Sequence, residues 1–465
     1  MMRRLAFGAT VLALLLFAET CAAVPYAQLS SSENQLADLT PKVVTLNQND
    51  AVKNITNANG VITFGENGAY FMMAAAQVGS AGGKGRGRVR LWFRLNGQDV
   101  PNSNTEQTVY PGFTAVLVCQ GVGEVKAGDK LEVVYCASSA TETLGLIASR
   151  PKGEPAVPSM IFTAFKVDDR AYAQVSSSVT QPAAVASRIT LNSPDAMKEI
   201  ANDSGALTVK TSGAYFVMAA GQVGCTAPSG RGRVRLWMRQ NGRDVANSNS
   251  EQSVFPGYTA VLVCQGVLVL KAGDRVELMQ SGAGAGVGMI ATAPPGEPVV
   301  PSLILSVVKV ADDAYAQLSS VKTTRGAPFA QLITLNQTDA SRNVQLARGG
   351  TLSSSISKQT ISVWQDGVYF MLAAAQVGRI SGADDGWVRI WLRQNNYNIG
   401  KSNTEQTIVG DFTAVLVSQG VGEAKKGDRL QLFYSARNSN QGLIATAPKG
   451  EPIVPSMIFS LVKLD

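Results

Sequence analysis

Residues 88–100 read RVRLWFRLNGQDV, and the chain writes the phrase twice more, as RVRLWMRQNGRDV at 233–245 and WVRIWLRQNNYNI at 387–399. Val89, Leu91 and Phe93 alternate with Arg88, Arg90, Trp92 and Arg94. A period of two puts the first set on one face of a β-strand and the second on the other, one face apolar and one basic. Asn96-Gly97 follows at once, with Asn241-Gly242 in the second copy. Both residues accept positive φ, so the pair predicts a two-residue hairpin turn, and Asn395-Asn396 is compatible with it. The turn sets Arg94 opposite Asp99, Arg239 opposite Asp244 and Arg393 opposite Asn398. Exposed cross-strand pairs of this kind contribute about 0.2–1 kcal/mol each.

The repetition continues outward. SNTEQT at 103–108 becomes SNSEQS at 248–253 and SNTEQT at 402–407. Continuing the hairpin register lays 103–108 against Arg86, Arg88 and Arg90, where Glu106 balances the arginines. Upstream lie Tyr-Ala-Gln at Tyr26, Tyr172 and Tyr315, then GAYF at Gly68 and Gly213 and GVYF at Gly367. Downstream come TAVLVCQGV, a Gly-Asp turn and Gly-Glu-Pro-x-Val-Pro-Ser. A period of about 145 residues is too long for a solenoid unit and marks tandem whole domains. We place them at 24–168, 169–311 and 312–465. Short strands between frequent Gly and Pro turns predict an all-β sandwich or jelly roll, with at most a turn of helix over Asp50–Ile55.

Composition bounds the chemistry. The chain has 465 residues, 45% hydrophobic and 16% charged, enough for several cores. Its net charge of +7 is too small an excess to argue for nucleic acid. His is absent. That excludes Ser-His-Asp and Cys-His nucleophile systems, His-ligated zinc and imidazole proton shuttles. Arg3 and Arg4 followed by the apolar run Leu5 to Ala18 and Cys21-Ala22-Ala23 read as a signal peptide over 1–23. The run is short for a membrane span, and no later segment is long and apolar enough. Export follows, to an extracellular, cell-surface or periplasmic location. The other cysteines vary between copies: Cys119 and Cys264 face Ser418, Cys136 faces Ser281 and Ser435, and Cys225 faces Ser80 and Arg379. A repeated catalytic or metal-binding cysteine is not expected to vary so freely.

The order of these motifs resembles the globular head of complement component q and the tumour necrosis factor-like jelly rolls. The matching positions are Gly68-Ala69-Tyr70-Phe71, Asn96-Gly97, Gly128-Asp129-Lys130-Leu131 and Pro158-Ser159-Met160-Ile161-Phe162. The resemblance implies jelly-roll heads that assemble as trimers and recognise proteins, glycans or surfaces without catalysis. It maps Val118, Val263 and Val417 to a strand that faces the trimer axis. A hairpin about Ala127-Gly128 would set Cys119 across from Cys136. In the resembled fold those strands lie in opposite sheets, and the pairing fails.

Two readings compete for the repeated polar residues. Arg90, Arg235 and Arg389, with Trp92, Trp237 and Trp391 beside them, could form an anion- or glycan-binding surface, or a solvated outer strand face. Glu106, Glu251 and Glu405 could hydrogen-bond a sugar, or simply pair with the arginines across the hairpin. One carboxylate per site is thin for calcium, so neither metal nor cofactor is expected. Glu154, Glu297 and Glu451 could gather into a ring in a three-fold assembly. The functional expectation is an exported, non-enzymatic protein that binds a glycan or protein, the alternative being a structural coat or matrix component. The links Asp168-Asp169-Arg170 and Ala311-Asp312-Asp313 reach roughly 10–14 Å with their junctions. Tethers that short favour closure of the three heads on one another, a covalent pseudo-trimer.

Overall fold

The computed structural model describes residues 24–139, 143–167, 170–347 and 360–465. Residues 1–23, which hold the expected signal peptide, and Asp168-Asp169 of the first link lie outside them. The described residues form strands without a helix, in six seven-stranded sheets. Every strand pairing is antiparallel. The sheets fall into three successive pairs, spanning Tyr26–Lys166, Tyr172–Lys309 and Tyr315–Lys463. Each pair is one sandwich, so the chain is three tandem jelly rolls.

In the first domain the inner sheet runs Ala115–Val125, Gly68–Ser80, Met160–Lys166, Tyr26–Ser31 and Gln48–Lys53. The outer sheet runs Thr105–Val109, Gly87–Leu95, Lys130–Ala137, Val61–Phe64 and Ile55–Ala58. Gln48–Lys53 is extended, which corrects the expected turn of helix. Its backbone completes the inner sheet by pairing with Tyr26–Ser30, and this outweighs a weak local helical preference.

The hairpin turn forms as read. Asn96 and Gly97 have φ of 51° and 79°, and Asn395 and Asn396 have 51° and 71°. Arg94 pairs with Asp99, Arg239 with Asp244 and Arg393 with Asn398. The register beyond it does not continue. A second turn at Pro101-Asn102, with Asn102 at φ 57°, inserts residues. Ser103 Oγ then accepts the Phe93 N–H that a strand carbonyl would otherwise take. Pairing resumes with Glu106 opposite Arg90 and Thr108 opposite Arg88, whereas an uninterrupted ladder would have set Ser103 opposite Arg90.

The inner sheet is buried on both faces. GAYFMMAAAQVGS at Gly68–Ser80 is buried at every position between its two ends. One face packs against the outer sheet; the other meets the neighbouring domains. Phe71, Phe216 and Phe370 touch one another with ring centroids 5.4–5.8 Å apart. Near the opposite end of the same strands, Phe113, Tyr258 and Phe412 make a second triangle, 5.5–6.2 Å on a side. The two aromatic triangles mark an axis about which the three domains close. Chain entry and exit lie at the Phe71 end, where Tyr26 pairs with Phe165 and Phe165 with Phe71. At the other end the loops at 38–41 and 81–86 lie beside Ala137 and Thr143, held by Ala137 N–H to Asp38 O and Ala81 N–H to Thr143 O.

Candidate functional site

The phrase Ser103–Thr108 is polar yet buried at every position. Thr105–Val109 is the edge of the outer sheet, and an edge exposes backbone donors and acceptors that need partners. The second domain supplies them. Gln222 Oε1 accepts the Glu106 N–H at 2.9 Å, and Gln222 Nε2 donates to the Glu106 carbonyl at 2.8 Å. Thr108 N–H donates to the Thr259 carbonyl at 2.9 Å. A glutamine side chain thus acts as a further strand. The device repeats in a cycle: Gln376 of the third domain grips Glu251 of the second, and Gln77 of the first grips Glu405 of the third. The seams close head to tail, first on second, second on third, third on first.

An ion-pair cluster sits beside each grip. Arg90 donates through Nε to Glu106 at 2.7 Å and through a terminal nitrogen to Glu297 of the second domain at 2.7 Å. Arg88 stands 3.5 Å from the same Glu106. Arg235 joins Glu251 at 2.6 Å and Glu451 of the third domain at 3.4 Å. Arg389 joins Glu405 at 2.6 Å and Glu154 of the first domain at 3.4 Å. Only 12% of the Arg90 side chain and 2% of Glu106 remain exposed. Burial alone would lower the Arg90 guanidinium, but the Glu106 and Glu297 carboxylates more than offset it and hold it above its ordinary value.

This arrangement corrects the expected solvated basic face. Arg90, Trp92 and Arg94 do project from the outer face, but the Gly296-Glu297-Pro298 turn of the next domain reaches over it, with Asn104 donating to the Pro298 carbonyl at 2.8 Å. Trp92, Trp237 and Trp391 are buried and offer no face for a sugar ring. Their indole N–H groups donate to Asp99, Asp244 and Asn398 at 2.9–3.0 Å. Glu154, Glu297 and Glu451 form no common ring, because each is held at a different seam by the arginine of another domain.

Val118, Val263 and Val417 are buried and pair with Ala75, Ala220 and Ala374 of the long inner strand. They share a face with Gln120, Gln265 and Gln419, which cross the seams to backbone carbonyls: Gln120 donates to Met218 and Ile304, Gln265 to Leu372 and Ile458 and Gln419 to Ile161. Sequence reading passed over these glutamines. Their signal is a polar residue at the same place in three otherwise apolar strands.

The cysteines are free and serve packing. Cys119 and Cys264 donate to the Ser103 and Ser248 carbonyls, and Ser418 Oγ donates to Ser402 in the third copy, so thiol and hydroxyl do one job. Cys119 lies in the inner sheet and Cys136 in the outer, so they form no hairpin pair. Burial, then Glu297, pushes the Cys136 thiol up to about 12, and burial raises Cys119 and Cys264 well above the usual thiol range. A thiol reagent added to the native protein should therefore label half-buried Cys225 first. The other three should react only after denaturation, with identical thiol counts with and without prior reduction. A disulfide in the mapped protein would contradict this.

No family model matches the chain, and no curated protein matches it. Among solved structures, the crystal structure of murine APRIL at pH 5.0 is similar at 14% identity, covering 32% of this chain and 98% of its own, with a TM-score of 0.23. The class the fold defines is an all-β protein of three jelly rolls joined in one chain and closed around a shared axis. Among the described residues no helix is long and apolar enough to cross a membrane.

Proposed function

We propose that the chain is an exported, non-enzymatic recognition protein with heads of tumour necrosis factor and complement q type, divided at 24–168, 169–311 and 312–465, which meets a glycan or protein ligand at the loop end. The supporting observation is the contrast between seams and loops. The seam residues are the same in all three copies: Arg90, Arg235 and Arg389; Glu106, Glu251 and Glu405; Gln77, Gln222 and Gln376. One loop opposite the chain termini keeps its length but changes character. SAGGKGRG at 80–87 is basic, CTAPSGRG at 225–232 less so, and RISGADDG at 379–386 carries Asp384 and Asp385. The same grip residues at every seam hold one shape, and unlike loops give that shape an asymmetric face. A rigid frame with variable loops is the usual division of labour in binding proteins.

A glycan and protein array probed with the exported chain tests this. Binding is expected to fall in the double variant Lys84→Ala, Arg86→Asp, which takes the third loop's residues at these places, and to weaken with salt. Binding indifferent to every loop-end change would remove the proposal. Intact mass of the exported protein should lack Met1 to about Ala23, and a retained N-terminus would remove export. The structural-coat reading draws on Leu39, Val185 and Phe329, exposed apolar residues on the equivalent loop tips. It predicts ordered self-assembly at high concentration with no ligand present.

A further inference from the structure

The seam between the first and second domains holds a cavity of about 600 Å³, against about 310 Å³ at the equivalent place between the second and third. One of the positions that differ between the two lacks a side chain in the first. Gly123 stands where the second domain has buried Leu268, and a Cβ built on Gly123 would meet nothing nearer than Met72 Cε at 3.9 Å. The room left open is walled by Met72, Phe93, Val122 and Leu131.

Its mouth is acidic. Glu124 accepts the Tyr172 hydroxyl at 2.7 Å, and Asp195 accepts the Asn102 amide at 2.7 Å. Among the described residues that line the cavity there is no lysine or arginine. The other seams lack this combination. Val269 replaces Glu124 at the second seam, and Lys401 replaces Asn102 at the third, close enough to act on Asp50. An apolar chamber of this size behind two carboxylates suits an apolar body with a cationic head.

We propose that this seam binds a small hydrophobic cation, its aromatic or branched-alkyl body against Met72, Phe93 and Leu131 and its amine or quaternary ammonium between Glu124 and Asp195. The site lies away from the loop end and does not depend on the function assigned to it. The test is a fluorescence titration with auramine O as the cationic probe, N-phenyl-1-naphthylamine as the neutral one and 1-anilinonaphthalene-8-sulfonate as the anionic one. Auramine O is expected to bind saturably and tightest. Gly123→Leu, a side chain the fold already houses at position 268, should weaken it about tenfold or more by filling the chamber. Glu124→Val, at an exposed position that is Val269 in the second copy, should weaken auramine O but leave the neutral probe nearly unchanged. The proposal is overturned if Gly123→Leu titrates like the parent, or if the anionic probe binds as tightly as the cation. Should Gly123→Leu melt early, the Glu124→Val pair of titrations decides alone: equal loss for cation and neutral probe overturns the site.

Discussion

Arg235→Ala is expected to lower stability by about 3–5 kcal/mol, far more than a surface ion pair would. The reason is what it leaves behind. Glu251 is 1% exposed, and its remaining cationic partner, Arg233, stands 3.4 Å away with 38% of its own side chain exposed. Glu451, reaching in from the third domain, loses its arginine as well. Two carboxylates would then sit in a seam with little water to solvate them. The control is Arg239→Ala. Arg239 pairs with Asp244 at 2.9 Å, but both side chains are about a third exposed, and a pair of that kind contributes about 0–1 kcal/mol. Urea unfolding of both variants separates the two cases. A loss for Arg235→Ala no larger than for Arg239→Ala would mean that the seam clusters do not hold the domains together.

The second large effect is expected at the axis. Phe216 is fully buried and meets Phe71 at 5.7 Å and Phe370 at 5.4 Å, so three domains share its ring. Phe216→Ala should cost about 3–5 kcal/mol, because the cavity it leaves is walled by three separate domains that cannot all relax into it. Tyr397, at the third hairpin tip, is 80% exposed, and its replacement by Ala should change little. Thermal melts check the difference. If Phe216→Ala unfolds at the parent temperature, the aromatic triangle is a bystander of the fold.

Much of the fold was legible because the chain states it three times, once in each domain. The alternation at 88–94 and the Asn-Gly turn gave the hairpin and its first cross-strand pairs, since both rest on local backbone rules. The register after Asp99 was not legible. Asn102, Asn247 and Lys401 take positive φ at positions that are not glycine, so the extra turn was hidden. Burial of the arginines and tryptophans was hidden too, because an alternating strand looks solvated on its polar face until another domain covers it. The covering residue Glu297 lies 207 positions from Arg90. One signal was present and not used: the strands at 68–80 and 115–125 are apolar without alternation, which in an antiparallel sheet means burial on both faces. Gln77 and Gln120 interrupt those apolar runs, and each interruption is a hydrogen bond to another domain.

Three heads close on one another within one chain. Small-angle X-ray scattering from the exported protein, over a range of concentrations, gives mass and dimensions together. The expected result is the mass of one chain, at or slightly below 48.9 kDa, with a radius of gyration near the compact value of about 22 Å at every concentration. A mass near three chains would mean that each head trimerises with heads of other chains. A single-chain mass with a much larger radius would mean three beads on a string, and either outcome would contradict the closed ring of seams.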